Sequence, residues 1–270
     1  MVRGRAYAKV NLSLEVLGRR EDGYHELVSV FQTVSLYDEL SLEPWDSLTL
    51  ACEVPSLGGD DNLVLRAARL LGRGGRFQLR KGIPVAGGMG GGSSDAALAL
   101  RLLDAVYGLR LAAEELHAAA GALGSDVPFF LTGGTALVQG RGERVTSQSD
   151  LPIHWLAILN PGVPLPTRAV FRELRSPECG DGAATLSGSG GLPPSINSLQ
   201  AAAERLEPRI IGAREALERA GAERVLLSGS GPTVFGFCRD EAHARAVAAV
   251  TDGWAARFVS RAEALALTQD

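Results

Sequence analysis

The sequence predicts an α+β fold in two domains, residues 1–150 and 151–270. Three observations predict it. Residues 4–17 alternate between apolar and polar side chains, the period of a strand with one buried face. A glycine-rich loop at residues 84–95 runs directly into an apolar stretch that reads as a buried helix. Strand-like and helix-like segments then alternate without the regular parallel βαβ repeat of a doubly wound fold.

Along the first strand, Val10, Leu12, Leu14 and Val16 form the apolar set, and Lys9, Asn11, Ser13 and Glu15 the polar one. Lys9 and Asn11 are therefore expected to project together from an exposed face. Asp22-Gly23 marks a turn. Further strands are expected at Leu27–Val34 and Ser47–Cys52, a helix at Asn62–Leu71, and a strand at Phe77–Lys81 leading into the glycine loop. A helix follows at Ala112–Ala120, broken at Gly121 and Gly124, and a strand at Gly133–Val138. The polar stretch Gly140–Pro152 is taken as the domain boundary.

The second half opens with a strand at Trp155–Leu159, a proline-rich turn from Pro161 to Pro166, and a helix beginning at Thr167. Ser176–Pro194, rich in Gly, Ser and Pro, is expected to be mobile. A long helix over Ser198–Ala220 should kink or break at Pro208, which lacks a backbone N–H. Strands at Val225–Leu227, Thr233–Phe237 and Arg257–Arg261 enclose a helix at Glu241–Val250.

Composition narrows the function. With 46% hydrophobic residues the chain can build a sizeable core, and its net charge of −4 without a long basic run argues against nucleic-acid and membrane-surface partners. No apolar run is long enough to span a bilayer, and the N-terminus lacks the apolar core of a signal peptide. Cys52, Cys179 and Cys238 have no metal-ligand spacing and form no even set, which reads as a reducing, cytoplasmic setting. Arginine is used almost everywhere a base occurs; Lys9 and Lys81 are the only lysines. The bias suits either a GC-rich genome or heat adaptation.

The glycine loop carries the clearest chemistry. Pro84-Val85-Ala86-Gly87-Gly88-Met89-Gly90-Gly91-Gly92-Ser93-Ser94 can turn successive N–H groups toward an anion, and a helix opening behind it adds free N–H groups and its positive dipole end. Ser93 or Ser94 is the expected N-cap, with Asp95 in the first turn. No lysine follows the glycines, so the loop is not a Walker motif, and the glycine spacing fails the dinucleotide fingerprint. A flexible Gly-Ser linker is the bland alternative, but linkers rarely open a buried helix.

The run from Pro84 to Ala97 resembles the phosphate-binding motif of the GHMP kinase superfamily, which includes galactokinase, homoserine kinase and mevalonate kinase. Ala6-Tyr7-Ala8-Lys9-Val10-Asn11-Leu12 near the start and Leu227-Ser228-Gly229-Ser230-Gly231-Pro232-Thr233 near the end match in the superfamily's order. Ala8 to Leu12, Asp22-Gly23-Tyr24-His25-Glu26-Leu27 and Gly124 to Phe130 look closest to the branch that phosphorylates the 2-hydroxyl of 4-diphosphocytidyl-2-C-methyl-D-erythritol. The resemblance implies a ribosomal protein S5 domain 2-like N-terminal domain and a ferredoxin-like C-terminal domain, with the site between them. It also implies ATP and Mg²⁺, the latter without an assigned ligand; Asp95 and Ser94 are the residues weighed for contact with it. Homoserine or mevalonate as acceptor, or a non-catalytic nucleotide-binding module, are the competing readings.

On the residues alone Asp126 reads as a helix N-cap, since Pro128 sits just inside a first turn. The resemblance instead places it on the catalytic aspartate that takes the acceptor's proton. Lys9 alone would read as a solvated strand lysine, but it resists the arginine bias, as a site needing a compact ammonium would. By resemblance it pairs with Asp126 and polarises the acceptor hydroxyl. Asn11, Tyr24 and His25 would recognise the cytosine-bearing acceptor, with Tyr24 stacking near it. Phe171 could stack on the cytosine or belong to the core, and Thr167 could contact the acceptor or merely cap its helix. The Ser228–Pro232 turn would support the phosphate loop or be an ordinary strand connection. Two departures from the family pattern stand out: Met89 for leucine, and Ala86 where glycine is common, so position 86 is expected to avoid glycine-only geometry.

Overall fold

The computed structural model describes residues 1–186 and 191–269. The alternating N-terminal segment becomes β1 (Val2–Arg19), which turns at Asp22-Gly23 into the long β2 (His25–Glu43). Gly23 takes φ +84°, and the Arg20 N–H donates to the Tyr24 carbonyl at 2.8 Å across that turn. β3 (Leu48–Cys52), α1 (Leu63–Leu70) and β4 (Gly75–Arg80) form a parallel strand pair with a helical crossover. Asn62 caps α1, its Oδ1 accepting from the Val64 N–H at 2.9 Å, a contact usually worth about 1 kcal/mol. Then come α2 (Gly91–Tyr107), α3 (Ala113–Leu123), α4 (Val127–Thr132) and the hairpin β5 (Thr135–Gly140) and β6 (Arg144–Ser147). Helix α3 runs through Gly121, which a helix tolerates at about 1 kcal/mol, and stops at Gly124.

The remaining chain forms β7 (Trp155–Leu159), α5 (Thr167–Glu173), α6 (Ala183–Leu186), α7 (Gln200–Leu206), α8 (Arg209–Arg219), β8 (Glu223–Leu227), β9 (Val234–Cys238), α9 (Glu241–Thr251), β10 (Trp254–Arg257), α10 (Arg261–Ala264) and β11 (Leu267–Gln269). The expected long helix does break at Pro208, into α7 and α8. The last expected strand lies earlier than Arg257–Arg261, because Ser260 starts α10 by accepting from the Glu263 N–H. No helix among the described residues is long and apolar enough to cross a membrane.

Two sheets result, giving the expected α+β architecture. The first has seven strands, ordered β11-β1-β2-β4-β3, with β5 on the other half of β2 and β6 beyond it. The second is antiparallel, ordered β10-β7-β9-β8, the ferredoxin-like arrangement. The chain passes from one sheet to the other after β6, and β11 returns to pair with β1.

The two faces of β1 decide the site. Ala8, Val10 and Leu12 pack against Leu156, Ile158 and Phe235 of the second sheet. The opposite, polar face is not exposed as expected: Lys9, Asn11, Ser13 and Glu15 are all buried. Alternation reported which residues are polar; it could not report that another part of the chain covers them. Part of that cover is the segment expected to be mobile. Of Ser176–Pro194, residues 187–190 lie outside the described residues, but Gly180 donates to the Val16 carbonyl, and Gly182 and Thr185 N–H groups donate to the Glu15 carboxylate at 3.3 and 2.8 Å. A buried acid at residue 15 thus anchors the segment to β1.

Candidate active site

Helix α2 starts earlier than the serines suggested. Gly90, at φ +73°, is the N-cap, and neither Ser93 nor Ser94 fills that role. Ser94 instead donates from Oγ to the Tyr7 carbonyl at 2.7 Å, which ties the first turn of α2 to β1. The helix is buried from Ser94 to Leu100 and again at Leu102 and Leu103, so its N-terminus is held rigidly beneath the loop. Met89 is buried against the inter-sheet core, and its carbonyl accepts the Lys9 N–H at 3.0 Å.

The turn at Ser228–Gly231 packs on the loop. Ser228 Oγ donates to the Gly88 carbonyl at 3.2 Å, and a Cβ on Gly88 would lie 2.6 Å from the Ser228 carbonyl oxygen. The loop side of the contact therefore needs bare backbone, while Ser228 supplies its side chain. On the other side, Gly87 lies against Thr233 and Asn160, whose Nδ2 donates to Thr233 Oγ1 at 2.8 Å.

Ala86 departs from expectation: it sits at φ +56°, in the left-handed region. A β-carbon there costs roughly 1–2 kcal/mol, and glycine returns part of that gain through its freer unfolded chain. Ala86→Gly is expected to stabilise the protein by up to about 1 kcal/mol, seen as a Tm rise of about 2 °C in thermal unfolding. A lower Tm would contradict the strain reading.

Lys9, Asn11 and Asp126 come together under the loop. Lys9 Nζ donates to Asn11 Oδ1 at 2.7 Å, lies 3.8 Å from Asp126 Oδ2, and sits 4.5 Å from the centre of the Phe31 ring. Asn11 is oriented in turn by donating from Nδ2 to Ser29 Oγ at 3.0 Å. Burial holds the Lys9 ammonium below the usual lysine range, against the opposing pull of Asp126. Asp126 occupies the N-cap position of α4 but makes no capping hydrogen bond with its side chain. Its carboxylate is about one-third exposed, at 35%, and so accessible to a reactant. Gly229 leans over this pair: a Cβ there would stand 3.3 Å from Lys9 Nζ and 3.4 Å from Asn11 Oδ1.

A second cluster lies along the β1–β2 hairpin. His25 stacks on Phe171 with ring centroids 5.0 Å apart and planes at 29°. Burial, with the Arg19 charge, lowers the His25 pKa, so the ring favours the neutral form that can both donate and accept. Tyr24 is exposed on the turn, with the Arg141 guanidinium 4.9 Å from its ring centre. Thr167 is the first residue of α5, not its cap; that position is Pro166. Its Oγ1 is 2.9 Å from Ser230 Oγ, linking α5 to the loop-supporting turn.

Sequence reasoning missed several members. Asn197 donates from Nδ2 to the Leu227 and Gly229 carbonyls, both at 2.8 Å, and fixes the turn over Lys9. Asp38, Lys81 and Asp95 form a buried ionic cluster at the base of the loop. Asp95 Oδ2 is bound to Lys81 and Ser94 Oγ to the Tyr7 carbonyl, while Asp95 Oδ1 is buried without a hydrogen-bond partner. The signal for Lys81 was present: it is the second of two lysines in a chain that otherwise uses arginine. Among the described residues no group of three His, Cys, Asp or Glu side chains could hold a metal ion.

Two segments of the chain match known family domains. Residues 62–134 match the GHMP kinases N terminal domain, and residues 193–252 the GHMP kinases C terminal domain. The 4-diphosphocytidyl-2-C-methyl-D-erythritol kinase of Nocardioides sp. is 42% identical over 274 residues, covering 92% of this chain and 92% of that protein. The Deinococcus radiodurans protein of the same name is 42% identical over 260 residues, covering 90% of this chain and 86% of that one. A crystal structure of a 4-(cytidine 5'-diphospho)-2C-methyl-D-erythritol kinase aligns with a TM-score of 0.83 at 40% identity, over 95% of this chain and 98% of that one. The homoserine kinase of Cytophaga hutchinsonii shares the fold, with a TM-score of 0.69 at 17% identity over 96% and 94% of the two chains.

Proposed function

The chain belongs to the GHMP kinase family, and on that premise we propose that it transfers the γ-phosphoryl group of ATP to the 2-hydroxyl of 4-diphosphocytidyl-2-C-methyl-D-erythritol, giving the 2-phosphate and ADP. The step belongs to the mevalonate-independent route to isoprenoid precursors. The observation that carries the reading is the position of Lys9: its backbone donates into the glycine loop at Met89, and its ammonium stands 3.8 Å from Asp126. One residue thus joins the donor side to a base.

Phosphoryl transfer needs positioning and charge stabilisation more than covalent chemistry. The free N–H groups of the loop and of the first turn of α2 hold the phosphates of ATP. Asp126 accepts the proton of the attacking hydroxyl, and Lys9 polarises that oxygen and offsets its developing charge. Mg²⁺ bound with the nucleotide would neutralise phosphate charge; among the described residues no group of three His, Cys, Asp or Glu side chains would hold it.

The acceptor reading rests on length and chemistry. Asn11 pairs with Phe31 and Arg19 with His25, so the two clusters are six residues apart on β2, about 20 Å at the usual strand rise. A cytidine diphosphate ester can reach across such a span; a four-carbon amino alcohol cannot. His25 hydrogen-bonds the base, and the Phe171 and Tyr24 rings supply stacking faces, each worth roughly 1–3 kcal/mol when used. Free thiols at Cys52, Cys179 and Cys238 suit a reducing cytoplasm.

The test is a panel of acceptors incubated with ATP and Mg²⁺: the cytidyl alcohol, homoserine, mevalonate and no acceptor, with ADP release measured. ADP formation with the cytidyl alcohol alone is the expected result. Turnover of homoserine or mevalonate in its place would overturn the acceptor, and nucleotide binding without any turnover would overturn the kinase.

A further inference from the structure

The buried cluster at the foot of the loop has a geometry that the transfer step does not use. Lys81 Nζ donates to Asp95 Oδ2 at 2.8 Å and to Asp38 Oδ2. The other oxygen of Asp38 accepts the Gly82 and Ile83 N–H groups at 2.7 and 2.8 Å. Asp38 is fully buried on β2, and Asp95 lies in α2 at 3% exposure. Residues 81–83 are where the chain enters the phosphate loop, and Asp95 is where it has just left. The entry end is therefore fastened to β2 directly through Asp38, and the exit end at Asp95 is joined to both through the single Lys81 ammonium. A Cβ on Gly91, in the first turn of α2, would lie 3.4 Å from Lys81 Nζ, so the cluster is adjacent to the N–H groups that meet phosphate.

We infer that Asp38, Lys81 and Asp95 act as a clasp that holds the phosphate loop in its nucleotide-binding shape, with Lys81 the positioning residue. The inference rests on the reading of residues 84–94 as the ATP site. Lys81 is directed at two carboxyl groups and not at the ligand, so its effect falls on nucleotide binding and not on the acceptor.

Charge balance gives the clasp a pH dependence. One ammonium faces two carboxyl groups. Burial pushes the Asp95 carboxyl up to about 8, with Lys81 opposing and Asp38 reinforcing the rise. Burial alone would lower the Lys81 ammonium, but Asp95 and Asp38 outweigh it and hold it above its usual range. Glu53 also faces this segment, its carboxylate accepting the Lys81 backbone N–H at 3.0 Å from the exposed side. With the raised Asp95 carboxyl protonated, the clasp keeps a proton opposite its single ammonium. As pH rises through the Asp95 value that proton is lost, which adds a negative charge beside the phosphate site.

The experiment measures binding of a non-hydrolysable ATP analogue and the KM for each substrate, in the wild type, Lys81→Met and Asp95→Asn. Lys81→Met should raise KM for ATP by about tenfold or more, the scale of one lost charge-assisted contact, with KM for the acceptor within about twofold. In the wild type, KM for ATP should rise up to about tenfold between pH 7 and pH 9. Asp95→Asn, which cannot ionise, should flatten that rise. A folded Lys81→Met with wild-type nucleotide affinity overturns the clasp. Should Lys81→Met not fold, an alkaline rise that persists in Asp95→Asn overturns it instead. A wild-type protein that does not bind the analogue at all overturns the underlying reading of the loop.

Discussion

Asp126→Asn is expected to lower kcat by about two to four orders of magnitude while leaving nucleotide affinity within about twofold of wild type. The amide keeps the size and position of the carboxylate but cannot accept a proton. Asp126 makes no capping hydrogen bond in α4, so the helix start is not at stake. The variant removes a charge beside the buried Lys9 ammonium, which stays hydrogen-bonded to Asn11, and thermal unfolding checks that the variant remains folded. Binding of an ATP analogue, measured beside turnover, separates the two effects. Activity within tenfold of wild type would remove the base assignment. The pH profile supplies a second check through Lys9, which must be protonated to polarise the hydroxyl. Burial lowers its pKa, so it loses its proton as pH rises at a value below the 10.5 of a free lysine. The alkaline fall in wild-type kcat should accordingly begin below that pH.

Gly90→Val is expected to abolish nucleotide binding, with affinity for an ATP analogue falling at least about a hundredfold. Three costs add at this position. Gly90 has φ +73°, where a β-branched residue is strongly disfavoured, at roughly 1–2 kcal/mol or more. Its Cβ would stand 2.6 Å from Cζ and 2.8 Å from Cε2 of Phe130, a ring buried in the N-terminal core. Gly90 is also the N-cap of α2, so relieving the clash must turn the first N–H groups of the helix away from the phosphates. Thermal unfolding of the same variant distinguishes a displaced loop from a lost fold. Retained affinity in a folded protein would mean that the phosphates are held elsewhere.

Much of this molecule was legible in its sequence. The β1–β2 hairpin, the helix over residues 63–70, the break at Pro208 and the presence of a helix behind the glycine loop all depend on contacts within a few residues. Period, cap chemistry and proline geometry report such contacts directly. The glycine loop at Gly87 to Gly92 reads as a phosphate cradle from residue type, whereas Asp126 on its residues alone reads as a helix N-cap and is assigned as the base by the family resemblance. Errors arose where a local rule met a distant partner. Ser93 and Ser94 are good caps, but the left-handed turn at Gly90 and the pull of the Tyr7 carbonyl started the helix earlier. Ser176–Pro194 has the composition of a loose segment, yet its described part is tied to Glu15 on β1.

The sequence by itself determined the backbone permissions and the chemical inventory: where the chain can turn tightly, which strand carries an ammonium, which helix begins beside an acid. Only the tertiary structure decided which of those groups are dry and which face one another. Lys9 looked solvated until Asp126, the Phe31 ring and the Ser228–Gly231 turn closed around it. Lys81 looked incidental until β2 and α2 brought two carboxyl groups to it. The physical reason is range. Backbone preference and periodicity act over a few residues, whereas burial and ion pairing depend on elements far apart in sequence that meet only when the two sheets and their helices pack.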